Sequence, residues 1–306
     1  MLSDPAGRGG TCAPPDQRRP RRHGSLLLGA GVLMLNVGAH SAAAPPPRKP
    51  QRIMSMMQCT DLLVLALVPR ERIASITYLA HPAAEMLMPG RDRGVAINHG
   101  SAEEIVRQKP DLILAGTFST PAARRLAARA GASLIEIEPA NSFADIRAAT
   151  RRVGQAVGEP ARAEAMIRRM DATLRALAAT RPPRGRRIAA WNGSGSVPGR
   201  DTLTDAIIRA AGGINVAATA GGRPGSFDVE RLLAARPDAI LQGRSAWRGA
   251  SLDASRAAHP LVRRLYRGRR ITFSDPLYGC GLPQTAGAAL DLRRALLALP
   301  AGGVRW

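Results

Sequence analysis

Apolar residues along this chain alternate between two textures. Short apolar runs at 52–55, 73–77, 134–137 and 187–191 are too brief for helices and predict strands. Between them, apolar positions recur at helical spacing over 60–67, 122–130 and 203–211, with Gly212-Gly213 as a stop for the last. The middle of the chain is helical for longer. Ser142 predicts the cap of a helix that runs to about Val157 and ends at Gly158, and Pro160 opens the next one in its first turn. Ala163, Met166, Ile167, Met170, Leu174 and Leu177 then recur on one side.

An internal repeat organises the rest. Ser101-Ala-Glu-Glu-Ile-Val-Arg-Gln-Lys-Pro-Asp-Leu-Ile-Leu-Ala-Gly116 matches Asp228-Val-Glu-Arg-Leu-Leu-Ala-Ala-Arg-Pro-Asp-Ala-Ile-Leu-Gln-Gly243 without a gap, at a constant offset (228 − 101 = 127). Each copy has the same grammar. Ser101 and Asp228 are N-caps, and Glu104 completes a capping box in the first copy. A short helix follows, with Ile105 and Val106, or Leu232 and Leu233, expected to face inward. Pro110 and Pro237 stop it, and a buried strand runs over 112–114 or 239–241 before a Gly. Helix then strand, on both sides of a long helix, predicts an α/β fold: two Rossmann-like lobes with parallel sheets joined by a single long α-helix. The expected boundaries are a leader at 1–41, a Pro-rich linker at 42–51, an N-terminal lobe at 52–140, a spanning helical segment at 141–182 and a C-terminal lobe at 183–300. A hinge made of one stiff helix predicts small closure.

Charge and composition change this picture at two points. The chain has a formal charge of +21, carried almost wholly by arginine, since Lys49 and Lys109 are its only lysines. The arginines are scattered, and no basic block sits beside stacking aromatics, so nucleic acid is not the expected partner. The N-terminus reads as a secretory signal. Arg18, Arg19, Arg21 and Arg22 precede a short apolar stretch at 26–37, and small residues follow at Ala39, Ser41, Ala42, Ala43 and Ala44. Cleavage is expected between Ser41 and Ala44, with an uncleaved anchor as the alternative, against which the shortness of the apolar stretch counts. Arg21-Arg22 hints at the twin-arginine route, but Gly24 and Ser25 stand where that route prefers apolar residues, which favours the general one. No Cys follows the apolar stretch to carry a lipid. Pro45, Pro46, Pro47 and Pro50 form a stiff tether. No later stretch approaches 18 uninterrupted apolar residues, so a periplasmic or secreted protein is expected.

The ordered set of motifs resembles the periplasmic substrate-binding proteins of ABC importers, in the family of vitamin B12 and ferric-siderophore receptors. The resemblance is carried by Cys59-Thr60-Asp61-Leu-Leu with its flanking strands, Arg72-Ile-Ala-Ser-Ile, the Gly100 to Gly116 segment, the spanning helix, and Ala210-Ala-Gly-Gly-Ile-Asn-Val216. It covers roughly residues 51 to 298. It implies a monomeric receptor that binds a metal chelate (ferric siderophore, heme or cobalamin) between its lobes. The chelate would pass to a permease dimer with ATPase subunits. It also implies that Glu103 and Glu230, the matching acids of the repeat, dock onto permease arginines. The alternative reading of these acids is ordinary stabilisation of helix N-termini.

Ligands of open α/β sheets sit beyond the carboxyl ends of the strands. Candidates there are Met57, Gln58, Cys59, Tyr78, Asn98 and His99 in the first lobe, and Trp191, Asn192, Arg200, Trp247, Asp275, Tyr278 and Cys280 in the second. Trp191 has strand-edge packing as its alternative. Cys12 lies in the leader, so the mature chain keeps Cys59 and Cys280. In an oxidising compartment these two can pair across the lobes. Two free buried thiols, or a thiolate on the cargo's metal, are the other possibilities. No resident cofactor, metal site or catalytic residue is expected. The rival within the importer class is a receptor for a free metal ion of the Zn or Mn type. It has thin support, because the mature chain offers only His81, His99 and His259. The rival from another class is a secreted α/β enzyme. Asn192-Gly-Ser-Gly-Ser-Val-Pro-Gly199 lacks both the P-loop lysine and the nucleophile-elbow register that it would need.

Overall fold

Strands and helices alternate as the apolar pattern requires. In the computed structural model the residues described are 48–117, 121–180, 185–191, 197–219, 227–244, 255 and 257–304. The expected leader at 1–41 and most of the linker at 42–51 lie outside them. The described residues belong to one compact unit, Pro47–Trp306.

The first half comprises β1 (Ile53–Ser55), α1 (Gln58–Leu67), β2 (Ile73–Thr77), α2 (Ala80–Leu87), β3 (Ile97–Asn98), α3 (Ala102–Gln108), β4 (Leu112–Gly116), α4 (Pro121–Arg129) and β5 (Ser133–Ile137). Its strands form one parallel sheet in the order β3-β2-β1-β4-β5. Two helices follow, α5 (Phe143–Ala156) and α6 (Pro160–Ala179). The second half comprises β6 (Arg187–Ala190), α7 (Leu203–Ala210), β7 (Ile214–Asn215), α8 (Val216–Thr219), α9 (Val229–Ala234), β8 (Ala239–Arg244), α10 (Pro260–Leu265), β9 (Arg270–Ser274), α11 (Asp275–Gly279) and α12 (Thr285–Leu297). Its sheet is also parallel, in the order β7-β6-β8-β9.

Parallel sheets need cover on both faces, and both have it. Ile53, Leu62, Leu65 and Ile76 pack on one face of the first sheet, and Met54, Ile105, Ile113 and Ala127 on the other. In the second half Ile188, Ile207, Leu241 and Leu292 form one layer, and Trp191, Leu232, Ile240 and Tyr266 the other. The helix α6 joins the two. Its Ala163 is buried in the first core and its Met170 and Leu177 in the second. Twenty residues at 1.5 Å each make it about 30 Å long, enough to span both. Its start is fixed by Glu159, which accepts from Lys49 at 3.1 Å and from the buried Arg72 at 2.7 Å.

The repeat is a structural unit. Ser101 caps α3 in a full capping box with Glu104, and Asp228 caps α9 by accepting from the backbone N–H of Arg231. A residue with left-handed backbone stands just past each helix, Lys109 (φ 46°) as the C-cap of α3 and Arg236 (φ 42°) after the cap of α9, again 127 apart. The Asp that follows each Pro then ties in the neighbouring central strand. Asp111 accepts from the N–H groups of Gln51 and Arg52, at 2.6 and 2.9 Å, and Asp238 accepts from that of Arg187 at 2.8 Å. One expectation fails here. Val106 is 55% exposed while Ile105 is fully buried, because successive helical residues are too far apart around the axis to share a face. Leu233 is likewise only half-buried beside the buried Leu232.

Candidate ligand-binding site

The carboxyl ends of β1, β2 and β3 form a rim from which the first-lobe candidates project. Beyond β1, Met57 is the N-cap of α1, and Gln58 donates from Nε2 to the carbonyl of Leu79 at 3.0 Å, tying the loop after β1 to the loop after β2. Beyond β2, the Tyr78 N–H donates to the carbonyl of Asn98. The Tyr78 ring, 48% exposed, stacks on His99 with centroids 5.3 Å apart and an interplanar angle of 22°. The His99 N–H donates to the Glu104 carboxylate at 2.9 Å, so the α3 capping box also holds this side of the rim.

Beneath the rim lies Asp61, fully buried in the first turn of α1. Its Oδ2 accepts from the Thr77 hydroxyl at 2.6 Å, and its Oδ1 has no hydrogen-bond partner among the described residues. Burial pushes its carboxyl up to about 7, against the lowering effect of the Ser55 and Thr77 hydroxyls. The sequence offered a signal for it, an acid placed just before the apolar run Leu62-Leu-Val-Leu-Ala-Leu67, but its burial was not foreseen.

The second half contributes differently. Asp275 opens α11 with its carboxylate over Gly243, where an added Cβ would come within 1.7 Å of Oδ1. Burial raises its carboxyl. Gly116, the repeat mate of Gly243, is crossed in the same way by Met57, with Sδ 2.5 Å from where a Cβ would stand. The glycine that ends each repeat therefore gives passage to a side chain of the rim. Arg200 is exposed and donates to the Ala218 carbonyl at 3.3 Å. Asn192 and Trp247 lie outside the described residues.

Three candidates are corrected. Asn98 is buried and bolts strand ends together, donating from Nδ2 to the Ser55 carbonyl and the Ser75 hydroxyl, each at 2.9 Å. Trp191 is 2% exposed, packs in the core against Phe227 and Ile240, and donates from Nε1 to the Phe227 carbonyl. Tyr278 is 7% exposed with its ring 3.9 Å from that of Phe273, and burial pushes its phenol up. All three are held by interior contacts.

Cys59 and Cys280 are joined by a disulfide, with Cα atoms 5.0 Å apart and 221 residues between them in sequence. It fastens the start of α1 to the end of α11, so neither sulfur is a thiolate for a metal. Around it the two halves pack directly. Leu277, Cys280 and Leu282 enter the core of the first half, and the Ser274 hydroxyl meets Met86 Sδ at 2.8 Å. Glu103 and Glu230 stand exposed in the first turns of α3 and α9. The Glu103 carboxyl is held below the usual range by its own N–H and the Ser101 hydroxyl.

No described helix is long and apolar enough to cross a membrane. Over 80% of this chain and 97% of the other, the fold superimposes on the periplasmic heme-binding protein RhuT from Roseiflexus sp. RS-1, with a TM-score of 0.66 and 26% identity. The periplasmic heme-binding protein HutB of Vibrio cholerae shares the fold at a TM-score of 0.65 and 19% identity, over 82% of this chain and 99% of that one. A cobalamin-binding protein of Halobacterium salinarum is 25% identical over 250 residues, or 78% of this chain. The chain spans 65% of that curated relative's length. Residues 92–265 match the family described as periplasmic binding protein, more than half of the chain, and the chain belongs to that family.

Proposed function

We propose that this protein is the exported, periplasmic receptor of an ABC importer and that its cargo is a metal tetrapyrrole, heme foremost. The observation that carries this is the Tyr78–His99 stack. It sets a phenol and an imidazole side by side, facing solvent, at the ends of adjacent strands. Tyr and His are both axial ligands of heme iron, and two stacked rings offer a flat apolar face to a macrocycle. Among the described residues no three His, Cys, Asp or Glu side chains converge. A bare Zn-type ion would call for four donors, whereas a chelate with an open axial position needs one or two. A saturated ferric siderophore has no such position and gives the stack nothing to ligate. The likeness to RhuT, a heme-binding protein, supports the same class. A corrinoid is the second reading, favoured by the match to a cobalamin-binding protein.

Delivery follows from the repeat. Glu103 and Glu230 are exposed at equivalent points of two copies of one unit, and a permease dimer would present two equivalent basic sites to them. The receptor is proposed to act as a monomer whose lobes, joined by α6 and the disulfide, move little on closure.

Titration of the oxidised protein with ferric hemin and, separately, cyanocobalamin, followed by visible absorbance, tests the cargo. Hemin should saturate with a shifted Soret band. Tyr78→Phe combined with His99→Ala should weaken binding by about a hundredfold, for the lost axial donor and the lost ring contact beside it. An unshifted hemin spectrum, or equal affinity in the double variant, would overturn the heme assignment. Saturation by cyanocobalamin alone would establish the corrinoid.

A further inference from the structure

A second concavity lies away from the rim. It opens between the carboxyl end of α1, the segment after α2, one stripe of α6 and the start of α12, with a volume of about 870 Å³. That is within the usual range for small-molecule sites. None of the rim residues lines it. The rim is at the amino end of α1 and the groove touches Ala66 near its carboxyl end, so about 12 Å of helix separates them.

Its chemistry is two-sided. Met88, Met166 and Met170 give it an apolar and adaptable floor. Arg91, Arg162 and Arg169 stand at the same groove, and its described lining holds no Asp or Glu. Nor do these arginines make an ion pair among the described residues, although Arg72, Arg124, Arg147, Arg151, Arg209 and Arg294 do. Two of them are preset. Arg91 donates to the Leu65 carbonyl at 2.6 and 3.2 Å, and Arg162 donates to that of Leu67 at 3.0 Å, so both guanidiniums are held at the end of α1. Arg162, Met166, Arg169 and Met170 share one face of α6, at helical positions i, i+4, i+7 and i+8.

Three cations without carboxylates beside a methionine floor complement one kind of ligand. We infer that this groove binds a monomeric amphipathic anion, an alkyl carboxylate in the simplest case, with the chain on the methionines and the head group on the guanidiniums. Because its walls come from both halves and from α6, an occupant would touch the two lobes at once. This site is independent of the rim cargo.

Calorimetric titration of the oxidised protein with sodium dodecanoate, below its micelle concentration, tests the inference. One saturable site is expected, with butyrate, dodecyl maltoside and dodecyltrimethylammonium each binding at least about tenfold more weakly. Arg169→Glu, which removes no described side-chain hydrogen bond, should weaken dodecanoate about tenfold or more. Ala165→Trp, which fills the groove, should do the same, with both melting temperatures near that of the parent. Tyr78→Phe should leave the affinity unchanged. Equal binding of the neutral or cationic chain would overturn the inference. So would an unchanged affinity in both groove variants, loss of binding in Tyr78→Phe, or association only with phosphatidylglycerol vesicles.

Discussion

Each lobe buries an aspartate in the first turn of its leading helix, and the two are treated differently. Asp205 of α7 meets Asn215 at 3.2 Å and Arg209 at 3.1 Å. Among the described residues Asp61 of α1 meets hydroxyl groups and no cation and keeps one oxygen unpartnered, and it is pushed up to about 7. The same contrast runs through the repeat. Its first copy has Glu104 in a capping box that reaches back to the rim at His99, whereas the second has Arg231 at that place and a cap alone. Equivalent scaffolds have thus diverged where they touch the rim. The first lobe builds it from buried acids and stacked rings, the second from an acid laid across a glycine.

The largest expected effect comes from cutting the link between the lobes. Cys59→Ser with Cys280→Ser, or reduction of the parent, should cost on the order of 5 kcal/mol, by the loop-closure estimate for a bridge spanning 221 residues. Scanning calorimetry should then show the two lobes melting apart. An unchanged melting profile would show that the disulfide adds nothing to the packing of Leu277 and Leu282.

Next comes the acid beneath the rim. The folded pKa of Asp61 is raised above its unfolded value, so between about 4 and 7 the native state keeps a proton that the unfolded chain has lost. Stability from this group is therefore fully present below about 4 and falls as pH rises to about 7, by roughly 4 kcal/mol. Glu103 and Glu164 slope the other way below the usual carboxylate range, held low by hydrogen bonds from the start of α3 and from Arg151. The difference between parent and Asp61→Asn in urea melts at pH 4.5 and 7.5 isolates Asp61. Parallel pH profiles would contradict its buried, protonated state.

Smaller effects sharpen the comparison. Gly243→Ala should destabilise by about 2 kcal/mol, because the short Asp275 side chain has little room to retreat, while Gly116→Ala should cost under about 1, because the flexible Met57 can swing aside. Equal costs, read from chemical denaturation, would remove the asymmetry. The caps lie between these two glycine changes. Ser101→Ala should cost about 1.5 kcal/mol and Asp228→Ala about 1, the excess reflecting the coupled Glu104.

Much of this fold was legible because its signals are local. The caps Ser101, Ser142 and Asp228, the stop at Gly158 and the stripe of α6 were all readable from residue type and spacing. The strands β3 and β7, two residues each, are too short to show any period. The elements α10 and α11 are barely longer, and small residues blur the apolar face of α12. Site residues were harder. Tyr78 and His99 stood out as scarce side chains on strand ends, and they do meet. The same rule selected Asn98, Trp191 and Tyr278, but Asn98 and Trp191 are held inside by partners distant in sequence, Ser55 and Phe227, and Tyr278 is buried against the nearby Phe273.

The most direct test joins the rim to the repeat. In a host that lacks its own heme receptor but expresses the cognate permease and ATPase, heme uptake should be restored by the parent chain. It should be lost with Glu103→Arg and Glu230→Arg together, while hemin affinity of the purified double variant stays at the parent value. Uptake by the double variant at the parent rate, or no uptake with the parent itself, would contradict a receptor read through both lobes.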